Sequence, residues 1–156
     1  MRAIRILFVF LLVSSVSLSQ TFDEIDITNF SNVDGWTYLG LTDGFDTYYK
    51  SNVGCFDRII LLQFDSKTFY VENPNVPVFE SIYNHLRNNF GEEDINVDFI
   101  RYGTDVNDDE NFCKAIREGN ATISRTWILY DIRICLDWFY DNNMSKDMIV
   151  ILSYYK

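Results

Sequence analysis

Ile132-Arg133-Ile134-Cys135-Leu136-Asp137-Trp138-Phe139-Tyr140 is the stretch whose reading decides the fold. Ile132, Ile134, Leu136, Trp138 and Tyr140 fall on one face of an extended chain, and Arg133, Cys135 and Asp137 oppose them. Successive side chains of a strand point to opposite faces, so this alternation marks a strand with one buried side. Thr122 to Tyr130 precedes it as a further strand. Asp141 to Asp147 then loops over to Met148 to Tyr155, an apolar closing strand. The C-terminal part of the chain therefore reads as β-sheet.

Towards the N-terminus the same signals recur. Trp36 to Leu41 faces Phe45 to Lys50 across Thr42-Asp43-Gly44, and an Asp-Gly between two aromatic-rich runs is a hairpin signal. Arg58 to Phe64 is almost continuously apolar, which predicts a strand covered on both faces, with a helix as the alternative that periodicity alone does not exclude. Asp65-Ser66-Lys67 turns the chain into a partner strand, Thr68 to Glu72. Ile95 to Tyr102 alternates weakly and reads as another strand.

Two helices interrupt the strands. Asn73-Pro74-Asn75-Val76-Pro77 is a breaker cluster, and Pro77 suits a first helical turn, where its missing N–H needs no partner. Val78, Ile82, Leu86 and Phe90 follow at steps of four, with Phe79 and Tyr83 widening the stripe. Gly91 stands where a left-handed cap is expected. Glu110 to Glu118 reads as a shorter helix with Phe112, Ala115 and Ile116 inward and Gly119 ending it. The expected fold is α+β: a largely antiparallel sheet with a main helix over about 77–90 and a short second helix over about 108–118 packed on it. No linker or repeat divides residues 20–156, which read as a single globular domain.

Residues 1–19 read differently. Arg2 and Arg5 form a positive n-region, and Ile6 to Val13 is unbroken in its apolar character. Ser17 and Ser19 supply the small side chains that signal peptidase accepts. The expectation is a secretory signal peptide cleaved after Ser19, with a secreted or periplasmic product. A spanning helix needs about 20 mostly apolar residues, and serines interrupt this run earlier. No membrane insertion is therefore expected after cleavage.

Charge narrows the partners. The chain holds 13 basic and 23 acidic residues; without Arg2 and Arg5 the balance is 11 against 23, a net charge of −12. That field repels phosphate backbones, which argues against nucleic acid. Aromatic residues make up 17% of the chain, too many for a disordered one. The three cysteines, Cys55, Cys113 and Cys135, allow at most one internal disulfide, and Cys113 to Cys135 is the favoured pairing.

Chemistry is sparse. His85 is the sole histidine, so histidine clusters for a metal are impossible, and neither G-x-S-x-G nor a phosphate-binding glycine pattern occurs. A pair of carboxylates could serve a hydrolase without histidine, but no spacing isolates one pair among 23 acids. Asp105, Asn107 and Asp109 place oxygens at positions 1, 3 and 5 of a turn, as calcium requires. This run resembles the start of a calcium loop of the EF-hand or dockerin kind. It departs from that pattern at Glu110, where glycine is needed, and at Ile116, where an acid is needed. The competing reading is an acidic loop in which Asn107 or Asp108 caps the next helix. Trp36, Tyr38, Tyr48 and Tyr49 in the hairpin are candidates for stacking on a carbohydrate or anchoring a partner protein. Alternation puts Trp36 with Tyr38 and sets Tyr48 opposite Tyr49. By elimination, the expected function is non-enzymatic binding or interaction without a resident cofactor. The alternatives are a carboxylate-dependent hydrolase or a calcium-stabilised structural module.

Overall fold

A computed structural model describes residues 30–141 and 148–156. The signal-peptide expectation for residues 1–19 lies outside the described residues. The elements in chain order are β1 (Thr37–Thr42), β2 (Phe45–Val53), β3 (Phe56–Leu62), β4 (Ser66–Glu72), α1 (Val76–Phe90), β5 (Ile95–Ile100), α2 (Asp109–Arg117), β6 (Ala121–Ile128), β7 (Arg133–Tyr140) and β8 (Met148–Tyr155). The α+β reading holds: eight strands form one antiparallel sheet in the order β1-β2-β3-β4-β8-β7-β6-β5, with two helices.

The order follows from the path of the chain. β1 to β4 run as a meander. α1 then carries the chain from the middle of the sheet to its far edge, where β5 begins, and the chain works back inward through β6 and β7. β8 closes the sheet by pairing β4 on one side and β7 on the other. Residues far apart in sequence meet there, as when the Ser153 hydroxyl donates to Thr68 Oγ1 at 3.4 Å.

Local chemistry explains the elements. Asp43 (φ 51°) and Gly44 (φ 90°) both take positive φ, as a two-residue hairpin turn between β1 and β2 demands. Asn75 caps α1 by accepting from the Val78 N–H at 3.0 Å, and Pro77 lies in the first turn. Asp108 caps α2 in the same way, accepting from the Asn111 N–H at 2.8 Å. Gly91 ends α1 as expected, but with φ 85° and ψ −161° it occupies a glycine-only region rather than the left-handed helical one. Its N–H still satisfies Arg87 O at 2.9 Å, while its carbonyl accepts from Trp127 Nε1 at 3.0 Å. The end of α1 is thereby tied to β6.

The core lies between the helices and one sheet face. Phe79, Ile82 and Leu86 of α1 are buried, as are Ala115 and Ile116 of α2. Beneath them lie Trp127, Ile134, Leu136, Trp138, Val150, Leu152 and Tyr154, each no more than 1% exposed. Trp138 stacks on Phe79 at 5.2 Å and meets Phe112 edge-on at 5.4 Å. Fully burying each large apolar side chain contributes about 1.5–3 kcal/mol, so this layer fixes the helices on that face.

One expectation for β3 is corrected. The apolar run predicts cover on both faces, yet only Ile59 and Leu61 are fully buried, while Ile60 and Leu62 on the opposite face are half-buried. Among the described residues no helix lies on that second face. β3 also stops at Leu62, and Phe64 turns away with φ 68° and lies 62% exposed.

Candidate functional site

Hairpin β1–β2 forms one edge of the sheet. Tyr38 lies opposite Tyr48 in the β1–β2 register, so their side chains share a face, and Tyr49 points to the other. Their rings stand 5.3 Å apart at 53°. Trp36, just before β1, joins this face: Lys50 and Lys67 each place Nζ 5.9 Å from its ring. Trp36 and Tyr48 rest partly buried against the core, whereas Tyr38 is 55% exposed. Three of the four aromatic candidates are thus brought together, and Tyr49 is separated from them by the sheet.

A bulge enlarges this surface. The β1–β2 register shifts between Tyr38 and Gly40, leaving Leu39 as the extra residue. Gly40 takes φ 117°, a conformation that glycine adopts without strain. An inserted residue sends every later side chain to the opposite face. Leu41 therefore pairs with Asp46 and shares the face of Tyr38 and Tyr48, contrary to simple alternation. It is 71% exposed. Trp36, Tyr38, Leu41 and Tyr48 thus lie on one face, together with Asp46 and Lys50. The Tyr38 hydroxyl donates to Asp46 Oδ1 at 2.9 Å. That hydrogen bond favours the protonated phenol and raises its pKa above the ordinary tyrosine value.

The opposite edge, β5, carries a second exposed surface that sequence reading took only for a weak strand. Ile95, Val97 and Phe99 lie on the face away from the helices, each about half exposed. The signal was present as three apolar side chains at a spacing of two. Nothing local shows that β5 would be an edge.

The acidic loop is organised around the cap of α2. Asp105 Oδ1 accepts from the Asn107 N–H at 3.1 Å, and the Asn111 amide donates to Asp105 Oδ2 at 3.3 Å and Asp108 Oδ2 at 3.0 Å. Asp105, Asn107 and Asp109 are all exposed. Among the described residues no three acidic, cysteine or histidine side chains gather as a metal set.

The favoured cysteine pairing is not brought together. Cys113 sits on α2, above the sheet face that carries Ile134, Leu136 and Trp138. Cys135 points from the opposite face, where it accepts from Thr126 Oγ1 at 3.8 Å. The sheet lies between them, and all three cysteines are free thiols. Burial raises the pKa of each, pushing Cys55 up to about 11.

A groove of about 300 Å³ lies between α1, α2 and the sheet, with Phe79, Tyr83, Phe112 and Trp138 on its walls. Among the described residues, Glu80 is the one carboxylate in its lining. Arg125 enters from β6 and is held by Asp98, at 2.6 and 3.2 Å, and by Glu93 at 3.8 Å. Glu93 also accepts from the Tyr83 hydroxyl at 3.1 Å. Glu93 and Asp98 are thus engaged with a cation and do not face each other across a reacting bond. His85 is half-buried on α1 and is absent from this lining.

No protein-family model matches the chain, and no curated protein matches it. Among the described residues no helix is long and apolar enough to cross a membrane.

Proposed function

We propose that this chain is a non-enzymatic, exported interaction domain that holds a protein partner on hairpin β1–β2. The observation that carries this reading is the shared face of Trp36, Tyr38 and Tyr48, extended by Leu41, which the bulge at Leu39 and Gly40 turns onto the same side. Clustered exposed apolar side chains mark interaction sites more often than scattered ones do. Tyrosine and tryptophan are enriched among residues that dominate binding energy. A protein partner suits this face better than a carbohydrate does. The Tyr38 and Tyr48 rings are inclined by 53° and offer no flat platform to a sugar ring, whereas Leu41 beside them gives an irregular aliphatic surface for apolar side chains. The net charge of −10 favours a basic rim on that partner.

The test is affinity capture from the producing organism's extracellular fraction, comparing the natural chain with Tyr38→Ala, Leu41→Ser and the control Tyr102→Ala. Tyr102 is fully exposed and remote from the hairpin in the sheet order. A discrete partner should be retained by the natural chain and by the control. Each hairpin variant should weaken that retention by about 30-fold, the effect of losing a contact worth about 2 kcal/mol. Equal retention by all four proteins would remove the hairpin from the binding surface.

A further inference from the structure

We infer that β5 is a self-association edge: two copies of this chain pair antiparallel through β5 about a two-fold axis at Val97, making one continuous sheet. An edge strand presents unpaired N–H and C=O groups, and proteins protect such edges with lysine, proline, bulges or a covering element. β1, the other edge, carries such a device in its bulge at Leu39 and Gly40. Within Ile95–Ile100, β5 carries no lysine, proline or register shift, and its irregularity lies just before the strand, where the Asp94 N–H donates to Thr126 O, opposite Ile95. Its sequence, Ile95-Asn96-Val97-Asp98-Phe99-Ile100, has no lysine, proline or glycine, and its six residues pair with β6 without a register shift. All six are exposed, on both faces, so neither helix blocks an approaching strand. The one charge, Asp98, is held within its own sheet by Arg125.

The hydrogen-bonding phase of this edge can be read. Arg101 N–H donates to Asn120 O at 2.8 Å. In an antiparallel ladder, hydrogen-bonded and non-hydrogen-bonded positions alternate. Phe99 and Val97 therefore spend their backbone groups on β6, while Asn96, Asp98 and Ile100 turn theirs to the free edge; the alternation breaks only at the start of the strand, where the Asp94 N–H donates to Thr126 O at 2.8 Å. A two-fold axis at Val97 sets Asn96 opposite Asp98 of the second copy, and both residues have the phase needed to exchange N–H···O bonds.

The same axis matches the side chains. Ile95 meets Phe99 of the second copy, Val97 meets Val97, and Phe99 meets Ile95, all on the face away from the helices. Apolar cross-strand pairs of this kind stabilise a sheet. On the helix face, the Asn96 amide already donates to Glu93 Oε1 at 3.1 Å and has a second N–H for the Asp98 carboxylate of the second copy. No like charges are set directly opposite. The dimer leaves both β1–β2 hairpins at the far ends of a sixteen-strand sheet, about 70 Å apart along the hydrogen-bonding direction if twist is ignored. Such an arrangement is bivalent and raises avidity for a partner displayed in many copies.

The experiment is sedimentation equilibrium of the full chain from micromolar to millimolar concentration, joined to cysteine cross-linking under oxidised glutathione. A monomer–dimer equilibrium that stops at two copies is expected. Added salt should strengthen it, because both copies carry net charge of the same sign. Val97→Cys should cross-link to itself, since directly opposed non-hydrogen-bonded residues lie about 4.5 Å apart at Cα. Ile95→Cys alone should stay at the level of the natural chain, its copies being about 13 Å apart. The double variant Ile95→Cys with Phe99→Cys should cross-link. Val97→Lys should be monomeric with an unchanged circular dichroism spectrum. A monomer throughout the range, as would follow if another segment or a different protein covers β5, overturns the inference. So does a dimer in which Ile95→Cys cross-links and Val97→Cys does not. Either failure leaves the hairpin reading untouched, because the two surfaces lie at opposite edges of the sheet.

Discussion

Replacing Tyr154 with phenylalanine should stabilise the protein. Tyr154 lies on β8 at the centre of the sheet, 0% exposed, with its ring edge-on to Phe69 at 5.8 Å. Its hydroxyl has no hydrogen-bond partner among the described residues. Burial alone drives the phenol pKa far above the tyrosine range, so the group stays neutral. A buried polar group left unsatisfied costs about 1–3 kcal/mol of lost hydration. Deleting the oxygen relieves that cost and keeps the ring contacts with Phe69. The loss is a few dispersion contacts, each about 0.1–0.2 kcal/mol. The net gain should be about 1–2 kcal/mol, and each kcal/mol raises Tm by about 2–4 °C for a chain of this size. Urea unfolding followed by the fluorescence of the buried Trp127 and Trp138 measures it. The midpoint should rise while the slope with denaturant stays constant, because the surface exposed on unfolding is unchanged. A variant less stable than the natural protein would refute the reasoning, since it would show that the hydroxyl is hydrogen-bonded.

Other outcomes follow from the same structure. Asn75→Ala removes the acceptor for the Val78 N–H at the start of α1 and should cost about 1 kcal/mol in the same urea assay. Burial raises the Asp137 carboxyl pKa, with the Ser124 hydroxyl partly opposing. A carboxyl whose folded pKa exceeds its unfolded pKa favours folding when protonated, so its penalty grows as pH climbs from the unfolded pKa to the folded one. Asp137→Asn should therefore be more stable than the natural chain at neutral pH, and that advantage should vanish on acidification in thermal melts at stepped pH. The native chain should react slowly with iodoacetamide near neutral pH, Cys55 least of all. Unfolding without a reductant should expose three titratable thiols; finding one would establish a disulfide.

Local chemistry made many of the elements legible. Alternation over Ile132–Tyr140 correctly oriented β7, because strand periodicity is written in neighbouring residues. Asp43-Gly44 announced the hairpin through its positive φ values, and the Pro77 stripe located α1 with only its first residue missed. The facing of Trp36, Tyr38, Tyr48 and Tyr49 was legible for the same reason. What remained hidden depends on pairings between distant segments. The apolar run of β3 reads alike whether one or both faces are covered, and only the position of the helices leaves Ile60 and Leu62 half-buried. Leu41 shares the face of Tyr38 because β2 accommodates a bulge opposite it, a property of two strands rather than one. Cys113 and Cys135 are plausible partners in sequence, and the thickness of the sheet separates them. Strand order has the same character: α1 crossing to the far edge and β8 inserting between β4 and β7 make β1 and β5 the edges. The sequence by itself determined which segments are strands and helices and the sign of the protein's field. Tertiary structure decided which apolar side chains remain on the surface, because burial depends on what packs opposite a residue and not on its neighbours along the chain.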